Sequence, residues 1–196
     1  MADIRNLLGK CSTLNDGEIQ DLIKTVMDEE KQKLGVKGNI DFDIKNLFGE
    51  ADGLNEATAT DGGSSLKHQI TIDYGSNSSS LQQVKQAKEN KGKSPEEAIF
   101  GLISLVCHEV RHAYQRENGI DDTGERTEDG DVIYDIDLME NDAEIYEYNR
   151  ALEYIDNYSD LKNTHPKIYE KFKGRCKSGT LATPKPKREI EQTIEL

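Results

Sequence analysis

At 196 residues, 34% hydrophobic and 32% charged, the chain is long enough for one sizeable core and short for two. Its 38 acidic side chains outnumber 25 basic ones for a net charge of −13, which argues against nucleic acid phosphates or anionic lipid as partners and favours basic protein surfaces. Cys11, Cys107 and Cys176 form no CxxC pair and leave one over from any disulfide; the opening MADIRNLLGK lacks a signal-peptide apolar run, and the longest apolar stretch, around 102–107, is too short to span a bilayer, so a soluble, cytoplasmic protein is expected.

Ile4, Leu7 and Leu8 predict a short opening helix, and Asn15 or Asp16 can cap a second one running to about Leu34. Its stripe of Ile19, Leu22, Ile23, Val26, Met27 and Leu34 reads as core packing. Residues 36–48 contain GNIDFDI, a strand followed by a turn. ATATDGGSSLKHQITIDYG then predicts two strands about a Gly-Gly turn, with His68, Ile70, Ile72 and Tyr74 on one face and Gln69, Thr71 and Asp73 on the other. The strand over Gln69 to Asp73 is either an ordinary meander edge or an open edge that aligns an extended substrate backbone. His68 has no metal-type partner nearby in sequence and reads as a surface residue. Residues 75–93 are polar and rich in Ser, Lys, Asn and Gln, which predicts a mobile loop with one helical turn near 81–88.

SPEEAIFGLISLVCHEVRHAYQRENG, residues 94–119, is the most informative stretch. Ser94 can cap a helix with Pro95 in its first position, Glu97 completes a capping box and Gly119 supplies the stop. Apolar residues from Ile99 to Tyr114 recur every three or four positions, so one side must be covered by protein. On this greasy helix His108, Glu109 and His112 spell H-E-x-x-H. Residues four apart are neighbours on a helix face, so two imidazoles can converge on one zinc ion, while Glu109, about 100° round, can take a proton from a metal-bound water.

The acidic, glycine-rich stretch that follows does not match a calcium loop and reads as solvated, with a hairpin through 132–136. From Leu138 a further helix is expected, with Asp137 as its cap. Two histidines need at least one more protein ligand for zinc, and Glu140 and Glu144, one turn apart on that helix, are both candidates. Glu140 also suits a capping-box position behind Asp137, and Glu144 suits a role orienting a ligand histidine. The closing segment predicts a helix broken at His165-Pro166 and a flexible tail over 181–196.

HEVRH followed by ENDAEIY resembles the zincin metallopeptidases, in particular the minimal ImmA/IrrE-like group and related small HExxH domains of bacterial toxins and mobile elements. Their second motif is similar to E-x-x-A-N-x-F/Y, which places Glu140 as third ligand, Ala143 as the small packing residue and Tyr146 as the aromatic; Glu144 stands where Asn is commoner. Arg111 stands where most zincins carry a small neutral residue. The resemblance implies an α+β zincin-like fold in a single domain over 1–180, with a small sheet and helices in an N-lobe of about 1–119 and a mainly helical C-lobe over about 120–180. It implies one Zn2+ per chain, hydrolysis of a peptide bond in a protein substrate with Glu109 as base, and Tyr146, Tyr148 or His165 as donor to the transition-state oxyanion. The competing expectation is a noncatalytic, zincin-shaped binding or inhibitor protein with a structural or absent metal.

Overall fold

Capping chemistry sets the first helices. In the computed structural model, which describes residues 3–47, 51–59, 66–120, 122–126, 128 and 132–184, Asp3 caps helix α1 (Ile4–Leu8) and Asn15 caps α2 (Asp16–Leu34). Asn15 and Glu18 close a reciprocal capping box, and Gly35 ends α2 at φ 73°, a left-handed conformation that glycine adopts without steric cost. The expected stripe, from Ile19 to Met27, is buried in the core.

Strands β1 (Asn39–Lys45), β2 (Gly53–Ala59) and β3 (Leu66–Asp73) form one sheet in the order β1-β3-β2, with β1 parallel and β2 antiparallel to β3. The central position of β3 corrects the expectation that Gln69, Thr71 and Asp73 lie on an open edge, because its backbone is paired on both sides. Thr71 and Asp73 are buried, and the Asp73 carboxylate accepts from the N–H groups of Leu47, Gly75 and Ser76 at 2.8, 2.9 and 2.9 Å, so it organises a turn. The edge strands are β1 and β2. Residues 60–65, with the anticipated Gly-Gly turn, lie outside the described residues.

His68, expected at the surface, is fully buried, with Nε2 3.3 Å from Glu117 Oε1, and burial holds its pKa below the ordinary imidazole value. The Glu117 carboxylate also accepts the Lys37 and Gly38 N–H groups at 2.8 and 2.6 Å. A Cβ on Gly38 would lie 2.1 Å from the Leu66 carbonyl oxygen, so glycine is what lets β1 begin this close to β3.

The polar stretch expected as a loop contains a helix, α3 (Ser80–Lys88), capped by Ser79 and held by the buried side chains of Leu81, Val84 and Ala87. Three apolar residues at helical spacing suffice here because a neighbouring helix covers them. That neighbour is α4 (Pro95–Glu117), which has the predicted Ser94–Glu97 capping box and is packed by α2, α3 and the sheet. The hairpin lies earlier than the expected 132–136: β4 (Asp122–Arg126) pairs with β5 (Val132–Tyr134), and Asp135 already caps the next helix. After it come α5 (Ile136–Tyr158), which packs extensively on α4, then α6 (Leu161–Thr164) and α7 (Pro166–Lys173), divided at His165-Pro166 as expected. Phe172 of α7 stacks on Phe100 of α4, ring centroids 4.0 Å apart. The architecture is α+β, mostly helical with a small three-stranded sheet. Among the described residues no helix is long and apolar enough to cross a membrane.

The tail expected to be free from residue 181 is tied down at its start. Ala182 N–H donates to Asp142 Oδ1 at 2.7 Å, and the Ala182 carbonyl accepts from Arg111 Nη2 at 2.9 Å. The rest of that tail, 185–196, lies outside the described residues.

Helix α2 carries more than core packing. Its Glu30 is fully buried and accepts from Tyr154 Oη at 2.9 Å, from Arg150 Nε at 3.1 Å and from the Tyr146 hydroxyl, all three donors coming from α5. Glu30→Ala would strand a guanidinium and two phenols, so it is expected to lower unfolding free energy by about 3 kcal/mol, read from the urea midpoint.

Candidate metal centre

The uncovered face of α4 lines a cleft of about 850 Å³, and the opposing walls come from Gly53 and Leu54 of β2 and from Glu140 and Glu147 of α5. On its floor His108 Nε2 and His112 Nε2 are 2.9 Å apart. Glu140 of α5 closes the triangle, with Oε2 3.2 Å from His108 Nε2 and Oε1 3.2 Å from His112 Nε2. Metal–ligand bonds of about 2.0 Å at tetrahedral angles separate ligand atoms by ~3.3 Å, so these three side chains converge as zinc ligands do.

The start of α5 decides which glutamate belongs here. Its N-cap is Asp135, whose side chain accepts from Leu138 N–H, so the helix begins two residues earlier than Asp137 as cap implies. Leu138 therefore fills the third helical position, and Glu140 is released from any capping box. Glu144 instead pairs with Lys177 on the surface, away from the histidines.

Each histidine is aimed by a partner that the motif does not contain. Gln115, one turn beyond His112, donates through Nε2 to the Met139 carbonyl at 2.9 Å and to Asp142 Oδ2 at 2.7 Å. Both partners only accept, so the amide oxygen of Gln115 must face His112 Nδ1, 2.7 Å away, and that nitrogen must carry the proton. The lone pair is left on His112 Nε2, toward Glu140. Asp142 is itself gripped by Arg111 through Nε at 2.7 Å and Nη2 at 3.1 Å, a buried two-point ion pair. Arg111 thereby ties α4 to α5. His108 Nδ1 lies 2.7 Å from Glu147 Oε2, although its N–H does not point squarely at that oxygen.

Charge in the cleft follows from this crowding. Burial alone would depress His108, but the Glu140 and Glu147 carboxylates outweigh it and hold the imidazolium up to about 10. His112 is depressed by burial and by the neighbouring His108 charge, which leaves it neutral. Glu140 is held low by His108. Without a metal, then, the His108 proton supplies the positive charge that two carboxylates demand.

Glu109, turned away from the ligand triangle, is buried, and burial raises its carboxyl to about 7. Gly53 of β2 lies against it: a Cβ there would sit 2.6 Å from Glu109 Oε1 and 2.8 Å from Leu105 Cδ1. Of the three residues expected to face an oxyanion, only Tyr148 lines the cleft. The Tyr146 hydroxyl is spent on Glu30, which corrects its assignment. His165 is exposed at the start of α7, 3.1 Å from Thr164 Oγ1 and outside the cleft, which corrects the third.

Gln115, Asp142 and Glu147 contact the histidine pair or its partners and were not singled out from the sequence. Glu147 had a signal, since it follows Glu140 by two helical turns; Gln115 and Asp142 had none beyond their closeness to the motifs. Comparison with protein-family models, with curated proteins and with solved structures found no match in any of the three.

If Glu140 is a ligand and Glu144 a surface partner of Lys177, Glu140→Ala should lose most bound zinc while Glu144→Ala keeps one equivalent, measured by elemental analysis after dialysis. Equal retention by both variants would discard the ligand set. Ligation must also expel the His108 proton, so apparent zinc affinity should rise by about tenfold per pH unit between pH 6 and 8. A chelator competition series would read that slope, and a flat profile would contradict the charge assignment.

Proposed function

We propose that this chain is a zinc-dependent peptidase that hydrolyses a peptide bond in a protein or peptide substrate. The observation that carries the reading is Glu109: a buried carboxyl with its pKa near 7, beside two converging histidines and outside the ligand triangle. A site that only stores a metal has no use for such a group, whereas a base poised near ambient pH suits proton transfer. Zinc held by His108, His112 and Glu140 would supply Lewis acidity and an acidified water. Glu109 accepts the proton of the attacking water and hands it to the leaving amine. Glu147 and the Gln115–Asp142–Arg111 chain keep the two histidines oriented through that cycle.

The edge strand β2 takes the role first assigned to β3. It has β3 on one side and, at Gly53 and Leu54, borders the cleft beside Glu109, so an extended substrate can add its backbone there. Exposed Leu54 and Ile136 at the rim give such a chain apolar surface to cover. Tyr148 is the oxyanion donor in this scheme, since burial raises its hydroxyl to about 12 and keeps it protonated.

Glu109→Gln separates catalysis from metal holding. The variant should retain its zinc and its unfolding midpoint yet lose turnover by a factor of about 10² to 10⁴, assayed as new N-termini in a peptide mixture by mass spectrometry. If zinc-loaded wild type yields no N-termini that Glu109→Gln lacks, the noncatalytic binding protein is the better reading.

A further inference from the structure

The cleft continues past the metal ligands toward the start of α4, where its lining changes sign. Lys93, just before the Ser94 cap, and Arg175, beyond α7, face the same end of the cavity. In a chain of net charge −13, neither lies within ion-pair distance of a carboxylate among the described residues. The carboxylates closest to this end are already engaged. Asp52 accepts from the backbone N–H and hydroxyl of Ser80 at 2.8 and 2.6 Å, and Glu97 accepts from Ser94 N–H and pairs with Lys171. Lys93 is partly buried, and that burial, together with the Arg175 charge, pulls its pKa below the ordinary lysine value.

Two cations that repel each other across a half-enclosed pocket, with Asp52 and Glu97 acting on Lys93 only from beyond ion-pair distance, are stabilised by an anion that sits between them. We propose that Lys93 and Arg175 form an anion subsite that selects a carboxylate of the bound substrate, and thereby set the specificity of the cleft. An Asp or Glu side chain and a free chain terminus both supply that group. The inference rests on the peptidase reading for its substrate, but the cationic pair makes its own demand on any ligand of the cleft.

The probe is a randomised decapeptide library, made once with free and once with amidated C-termini. Zinc-loaded Glu109→Gln protein, immobilised, would retain peptides without cleaving them. Retained peptides should be enriched in Asp and Glu about tenfold over input, at positions clustered within the chain. Enrichment should vanish in Glu109→Gln carrying Lys93→Glu and Arg175→Glu, and survive Lys93→Arg with Arg175→Lys. Retention confined to the free-terminus library assigns the subsite to the terminal carboxylate; acidic enrichment in both libraries assigns it to the side chain. Equal retention of the two libraries without acidic enrichment, no retention above a bead control, or retention unchanged by charge reversal would each overturn the subsite. Digestion of the same libraries by wild type judges the other reading separately: acid-selective retention with no cleavage would remove the peptidase and leave the subsite standing.

Discussion

The buried Arg111–Asp142 ion pair is the constraint on which the centre depends. Both side chains are almost wholly out of water, so neither tolerates loss of the other, and their two-point geometry admits one register of α4 against α5. That register brings Glu140 over the histidine pair and sets Asp142 to receive Gln115. The ion pair also anchors Ala182 through both its backbone groups, so the chain after α7 closes over the seam between the helices. Its contribution is less to net stability than to uniqueness: an apolar pair would pack there without specifying which turn of α5 meets which turn of α4.

A second polar knot at Glu30 fixes the far half of α5. Arg150, Tyr146 and Tyr154 reach it from successive turns, so α5 is pinned to α2 there and to α4 at Asp142. A helix held at two points along its length cannot slide, and the 3.2 Å approaches of Glu140 to the histidines are preserved by that stiffness rather than by anything within the triad.

Electrostatics divides the cleft into zones. Around the ligand triangle carboxylates dominate, which makes His108 a proton-holding stand-in for a cation. Beside it, close packing by Gly53 and Leu105 dries Glu109 and lifts its carboxyl toward neutrality. Farther along, Lys93 and Arg175 invert the sign.

Helix α4 with its caps, the amphipathic α2 and the His108–Glu109–His112 spacing were legible in the sequence, because capping, 3.6-residue periodicity and i,i+4 proximity are local and need no partner to be read. The break at His165-Pro166 was legible for the same reason. Non-local pairing was not. β3 reads as a half-buried strand whether it is central or an edge, and only the parallel partner β1, arriving from earlier in the chain, makes it central and leaves β2 at the cleft. Leu81, Val84 and Ala87 are too few to announce α3 until α4 covers them. His68 looks like a surface residue until Glu117 and the start of β1 enclose it. Glu140 and Glu144 are equivalent by spacing, one turn apart on one helix. What separates them is the rotation of α5, set by Asp135 at its cap and by Asp142 and Glu30 along its length, and rotation about a helix axis is a property of the partners a helix packs against.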